Sequence, residues 1–152
     1  MTPRPTRVAL VGVLGATAVV LAYFEAAPER HAQAVLALLT ALFFVRVTGQ
    51  IVARVAQPTW LPPTAEWNLV PYRVLLPAQL VILAVMARLC VDPHAGAVAA
   101  VPVSFVYAGA IALRYAVRMR RRPEQRWFGG TIPIVFHVVL ASFLFVVGSS
   151  SG

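Results

Sequence analysis

Lysine is absent from this chain of 152 residues, only five residues are acidic, and there is one cysteine, Cys90. A single thiol excludes an internal disulfide, a CxxC redox pair and a CxxCH haem attachment. Cys90 is read as a small apolar residue near a helix end. Charge of either sign is scarce: 12% of residues are charged and 60% are hydrophobic, where a soluble domain averages about 25% charged. Such a composition is too poor in polar groups to clothe a water-facing surface, so lipid is the expected solvent. At this length one domain is expected, and spans with short connections leave no room for a sizeable extramembrane domain.

What charge there is has one dominant sign. Thirteen arginines against five acids give a formal charge of +8. An all-arginine basic set with abundant Ala and Val fits a GC-rich bacterial genome. The arginines flank apolar runs, which points to topology determination and anionic headgroups, with no nucleic-acid partner expected.

Five apolar stretches are expected to be transmembrane helices, at about 8–25, 32–54, 73–91, 95–117 and 131–148. The first contains an uncharged run, Val8 to Phe24, preceded by Arg4 and Arg7. It is longer than the ~7–15 apolar residues of a signal peptide and no clean A-x-A site follows, so a retained first span is expected. The segment 56–72 contains Pro58, Pro62, Pro63 and Pro71, which exclude a continuous helix, and Trp60, Trp67 and Tyr72, which favour the headgroup level; an interfacial linker is expected there. No internal repeat is evident. The expected fold is therefore an all-α bundle of five transmembrane helices.

The short connections set an orientation. The N-terminus carries two Arg; the 25–31 turn, two Glu and one Arg; the 54–73 linker, two Arg and one Glu; the 92–94 turn, no Arg; and the 118–126 loop, five Arg. Basic and non-basic segments alternate, as the positive-inside rule requires of five spans with the N-terminus inside and the C-terminus outside.

Polar residues inside a bilayer carry the most information. Arg46, Gln50 and Arg54 recur every four residues and share a helix face. Arg46 is expected to snorkel or to hydrogen-bond structurally, with Gln50, Gln79, Tyr107 or backbone carbonyls as partners; the functional alternative is an anion or lipid phosphate. Gln79 must face another helix to satisfy its amide. His137 is expected to be a helix-packing residue, with a proton relay as the lesser reading. Its depth matches neither His31 nor His94, which argues against a two-histidine haem site. Outside, Glu25, Glu29, His31, Asp92 and His94 fall in two turns. Glu29, His31, Asp92 and His94 are reasonable ligands for a divalent metal, although solvated turn residues are the leading expectation for them. Ser104, Ala108 and Ala112 form a small-residue stripe suited to close helix approach. Arg118, Arg120, Arg121, Arg122 and Arg126 form a basic run that anchors topology and suits anionic lipid, at about 1 kcal/mol per Arg.

No pattern fixes a reaction, cofactor or cargo. The leading expectation is a non-enzymatic subunit or accessory protein of the inner membrane, packing against other membrane helices in a homo-oligomer or larger complex. One alternative is a small transporter or channel lined by Arg46, Gln50 and Gln79. Another is a membrane enzyme or metal protein using the outer carboxylate–histidine cluster.

Overall fold

The computed structural model describes residues 4–57, 71–121 and 131–150, with the side chains of residues 4–10, 29, 95–98 and 131–133 outside that description. Among the described residues there are five α-helices and no strand: α1 (Arg4–Ala26), α2 (Pro28–Ala56), α3 (Tyr72–Val91), α4 (Ala97–Arg121) and α5 (Thr131–Ser149), with a 3-10 turn at Pro93–Gly96 between α3 and α4. Three stretches are long and apolar enough to cross a membrane, Arg30–Ala56, Tyr72–Val91 and Ala99–Arg121, while α1 and α5 contribute shorter apolar stretches, Val11–Ala26 and Ile134–Ser149.

The helix boundaries differ from the sequence expectation where proline and capping chemistry act. The turn expected at 25–31 shrinks to Ala27, whose φ of −159° breaks the helix, and Pro28 opens α2 at once. Proline is suited to a first helical turn because the N–H it lacks has no intrahelical acceptor there. His31 therefore lies in the first turns of α2 instead of in a loop. At the other end α2 runs to Ala56, where Gln57 turns left-handed (φ 42°) and donates its N–H to the Ala53 carbonyl at 3.2 Å, closing the last turn. Of the expected 56–72 linker only Ala56, Gln57, Pro71 and Tyr72 are described, so the proline-rich remainder lies outside the described residues. α4 begins at Ala97 and continues to Arg121, past the expected end at 117. Arg118, Arg120 and Arg121 thus belong to its last turn, where cations suit the helix dipole; Arg122 and Arg126 lie outside the described residues.

The helices alternate in direction. Phe24 at the end of α1 meets Phe145 near the end of α5, edge to face, with ring centroids 6.5 Å apart. Gln33 near the start of α2 donates to the Cys90 carbonyl at the end of α3, at 3.4 Å. Gly148 at the end of α5 lies against Val101 near the start of α4. These contacts gather one terminus of every helix at the same end of the bundle. Glu25, His31, Asp92 and His94 lie at that end; Arg54, Arg73, Arg118, Arg120 and Arg121 lie at the other.

The core is built chiefly from two helices. Val35, Leu39, Phe43 and Val47 of α2, spaced every four residues, are buried, and so are Val135, Val139, Phe143 and Val147 of α5. Rows of this spacing form continuous ridges on one helix face. α2 also packs on α1 and α3, and α5 on α1 and α4. α3 buries only Gln79 and Met86. Val91, at 77% exposure, and Val106, at 73%, face outward, as lipid-facing positions do when the solvent is hydrocarbon.

Candidate functional site: a polar layer and a small-residue groove

Hydroxyl groups on apolar helices first find partners within their own helix. Thr17 Oγ1 donates to the Val13 carbonyl and Thr40 Oγ1 to the Leu36 carbonyl, both at 2.8 Å, and Ser104 Oγ donates to the Val101 carbonyl at 2.7 Å. Such back-bonding satisfies a hydroxyl where water is missing. Several of the longer polar side chains lie toward the basic end of the bundle.

Arg46 lies ten residues before the end of α2, about 15 Å at 1.5 Å per residue. The guanidinium stays within the bundle. Its Nη1 donates to Gln50 Oε1 at 3.2 Å, and its Cζ stands 5.1 Å from the Phe136 ring centroid, within cation–π range. The buried Nε has no hydrogen-bond acceptor among the described residues. Gln50 is buried at 3% exposure.

Next to this arginine, Tyr107 of α4 and His137 of α5 hydrogen-bond through the phenolic oxygen and Nδ1, with their rings edge to face at 5.6 Å. Arg114 lies seven residues, two helical turns, beyond Tyr107 on the same face of α4. Gln79 is buried at 4% exposure. Cys90 sits beside Gln33 and Thr40; eleven residues back along antiparallel α3, about 16 Å, brings Gln79 to the level of Val47 and Gln50. Its Oε1 has no partner among the described residues. The structure thus brings Arg46 and Gln50 close to His137 and Tyr107 and sets Gln79 at a similar level, with Arg114 two turns nearer the basic end. Sequence reading overlooked Arg114 as a member, although it falls seven residues after Tyr107 and so repeats on the same helix face.

The small-residue stripe occupies the other flank of α4. Ser104 is buried, while Ala108 and Ala112 are exposed. All three line an open groove of about 470 Å³ between α4, α5 and the end of α1, with Phe105, His137 and Phe145 also on its walls.

At the opposite end, His31 and Asp92 are engaged within their own surroundings. His31 stacks on Tyr23, with ring centroids 3.6 Å apart, and its Nδ1–H donates to the Tyr23 carbonyl at 2.6 Å. That carbonyl belongs to the last turn of α1, where helices leave acceptors unfilled, so His31 fastens the junction of α1 and α2. Asp92 accepts from Arg88 at 3.2 Å, an exposed pair of the kind that contributes little to stability. His94 is exposed, and the Glu29 side chain lies outside the described residues. Among the described residues no three His, Cys, Asp or Glu side chains are grouped so as to hold a metal ion.

The chain matches no protein family, no curated protein and no solved structure.

Proposed function

We propose that this chain is a five-span protein of a bacterial inner membrane, N-terminus inside and C-terminus outside, that acts without chemistry of its own as a subunit of a homo-oligomer or larger membrane complex. The orientation is supported by the segregation of Arg54, Arg73, Arg118, Arg120 and Arg121 to one end of an alternating bundle, as the positive-inside rule favours for a cytoplasmic face. The association role rests on one observation: Ala108 and Ala112 are exposed along an apolar groove of about 470 Å³. Alanines at four-residue spacing let a helix backbone come close, and in lipid that packing is a main source of helix association. A transmembrane helix of a partner subunit is the occupant this reading assigns to the groove.

Ala108→Leu places a branched side chain in the groove. It is expected to weaken assembly at least about tenfold, equivalent to about 1.4 kcal/mol, as read by native mass spectrometry of protein released from detergent. Val106→Leu, on an outward face of the same helix, is expected to leave the assembled fraction unchanged. Equal effects from the two substitutions contradict the assignment.

A further inference from the structure

Among the described residues, the layer around Arg46 carries positive charge without a carboxylate, a feature that the helix-packing role does not use. Arginine stays ionised in proteins, and a cation inside a bilayer needs an anionic or strongly polar partner. Arg46 has a neutral amide, Gln50, and an aromatic face, Phe136. Arg114 adds a second permanent cation two turns from Tyr107 on the same face of α4. The acids with described side chains, Glu25 and Asp92, are at the opposite end of the bundle. Two cations therefore lie on the basic side of a neutral hydrogen-bonded pair, and among the described residues no carboxylate accompanies them.

The face of α4 supplies a route to this layer. Tyr107, Arg114, Arg118 and Arg121 fall at intervals of seven, four and three residues, so they form one stripe along the helix. Helical side chains lean toward the N-terminus, which tilts Arg114 back toward Tyr107. Arg114 and Arg121 are exposed. The stripe is a ladder of cations leading from the basic end of the bundle to Arg46.

We propose that Arg46 and Arg114, with the Tyr107–His137 pair between them, seat an oxyanion of the phosphate class that enters along the Arg118–Arg114 face of α4. The guanidinium fork matches two oxygens of a phosphate, and the low dielectric of the bilayer strengthens each charge-assisted bond. The phosphate belongs either to an anionic lipid of the adjacent leaflet or to a free solute. This site lies toward α2 and shares only His137 with the wall of the small-residue groove.

The test compares thermal unfolding midpoints of the protein in three preparations: phosphatidylcholine nanodiscs, the same nanodiscs with inorganic phosphate, and nanodiscs containing phosphatidylglycerol. A bound anion raises the midpoint by mass action. A rise with phosphatidylglycerol alone assigns the site to lipid phosphate, and a rise with inorganic phosphate in the neutral nanodiscs assigns it to a free anion. In either case the rise should be lost in Arg46→Gln and in Arg114→Gln and retained in Arg120→Gln, at an exposed position outside the stripe. Arg46→Lys keeps the cation but not the fork, so it guards against a folding defect in Arg46→Gln; it should keep part of the rise. The proposal is overturned by no rise in either preparation, by a rise that survives both Gln variants, or by equal loss in Arg120→Gln.

Discussion

Gly148→Ala is expected to be among the most damaging single-atom additions to this protein. A Cβ at Gly148 would stand 2.6 Å from the Val101 backbone nitrogen, 2.5 Å from Val101 Cγ2 and 3.2 Å from the Ala100 carbonyl carbon. The valine methyl can rotate away. The backbone cannot yield without moving α4 from α5, and overfilling of this kind costs about 1–3 kcal/mol. Gly109→Ala is the matched control, since a Cβ there meets nothing within 4 Å. In a helix interior that change should stabilise by roughly 0.5–1 kcal/mol. Denaturant titration in detergent should therefore move the two midpoints in opposite directions. Equal midpoints would mean that the close approach of α4 and α5 is not a feature of the folded protein.

The second large effect separates two neighbouring residues. Phe43 is buried at 4% exposure and Phe44 faces outward at 55%. In a water-soluble core, Phe→Ala costs about 3–5 kcal/mol, combining transfer and cavity terms. In lipid the transfer part largely disappears because the chains are as apolar as the core, and the lost packing remains. Phe43→Ala is accordingly expected to cost about 2 kcal/mol, and Phe44→Ala less than about 0.5 kcal/mol. The same unfolding measurement reads both.

That pair also shows what was legible from sequence. Apolar runs bounded by charge or proline located the five described helices, because a bilayer demands continuous hydrogen-bonded backbone and tolerates few charges. Pro28 and the Asp92–Pro93 step marked connections correctly to within a few residues. Helix faces were harder to read. In the middle of α2 and along α5 most positions are apolar, so the row Val35, Leu39, Phe43 and Val47 is no more hydrophobic than its outward-facing neighbours, and periodicity carries little signal. Polar residues were the exception. Arg46, Gln50 and Gln79 stood out as residues needing partners, and the structure brings them to one level. The Tyr107–His137 hydrogen bond spans thirty residues and had no local signature. Arg114 was passed over because a span was taken to continue through it, although its seven-residue interval from Tyr107 was visible. The contact of Gly148 with Val101 depends on how two distant helix ends cross, and no short-range pattern encodes that.

The proposed five-span bundle with a cytoplasmic basic end is open to single-cysteine labelling in intact cells. In a Cys90→Ser background, one reporter each replaces Arg54, His94, Arg122 and Ser150. With a membrane-impermeant thiol reagent, His94→Cys and Ser150→Cys are expected to react in intact cells, while Arg54→Cys and Arg122→Cys react only after the membrane is broken. Reaction of the Arg122 reporter in intact cells, or protection of the Ser150 reporter, would contradict the account.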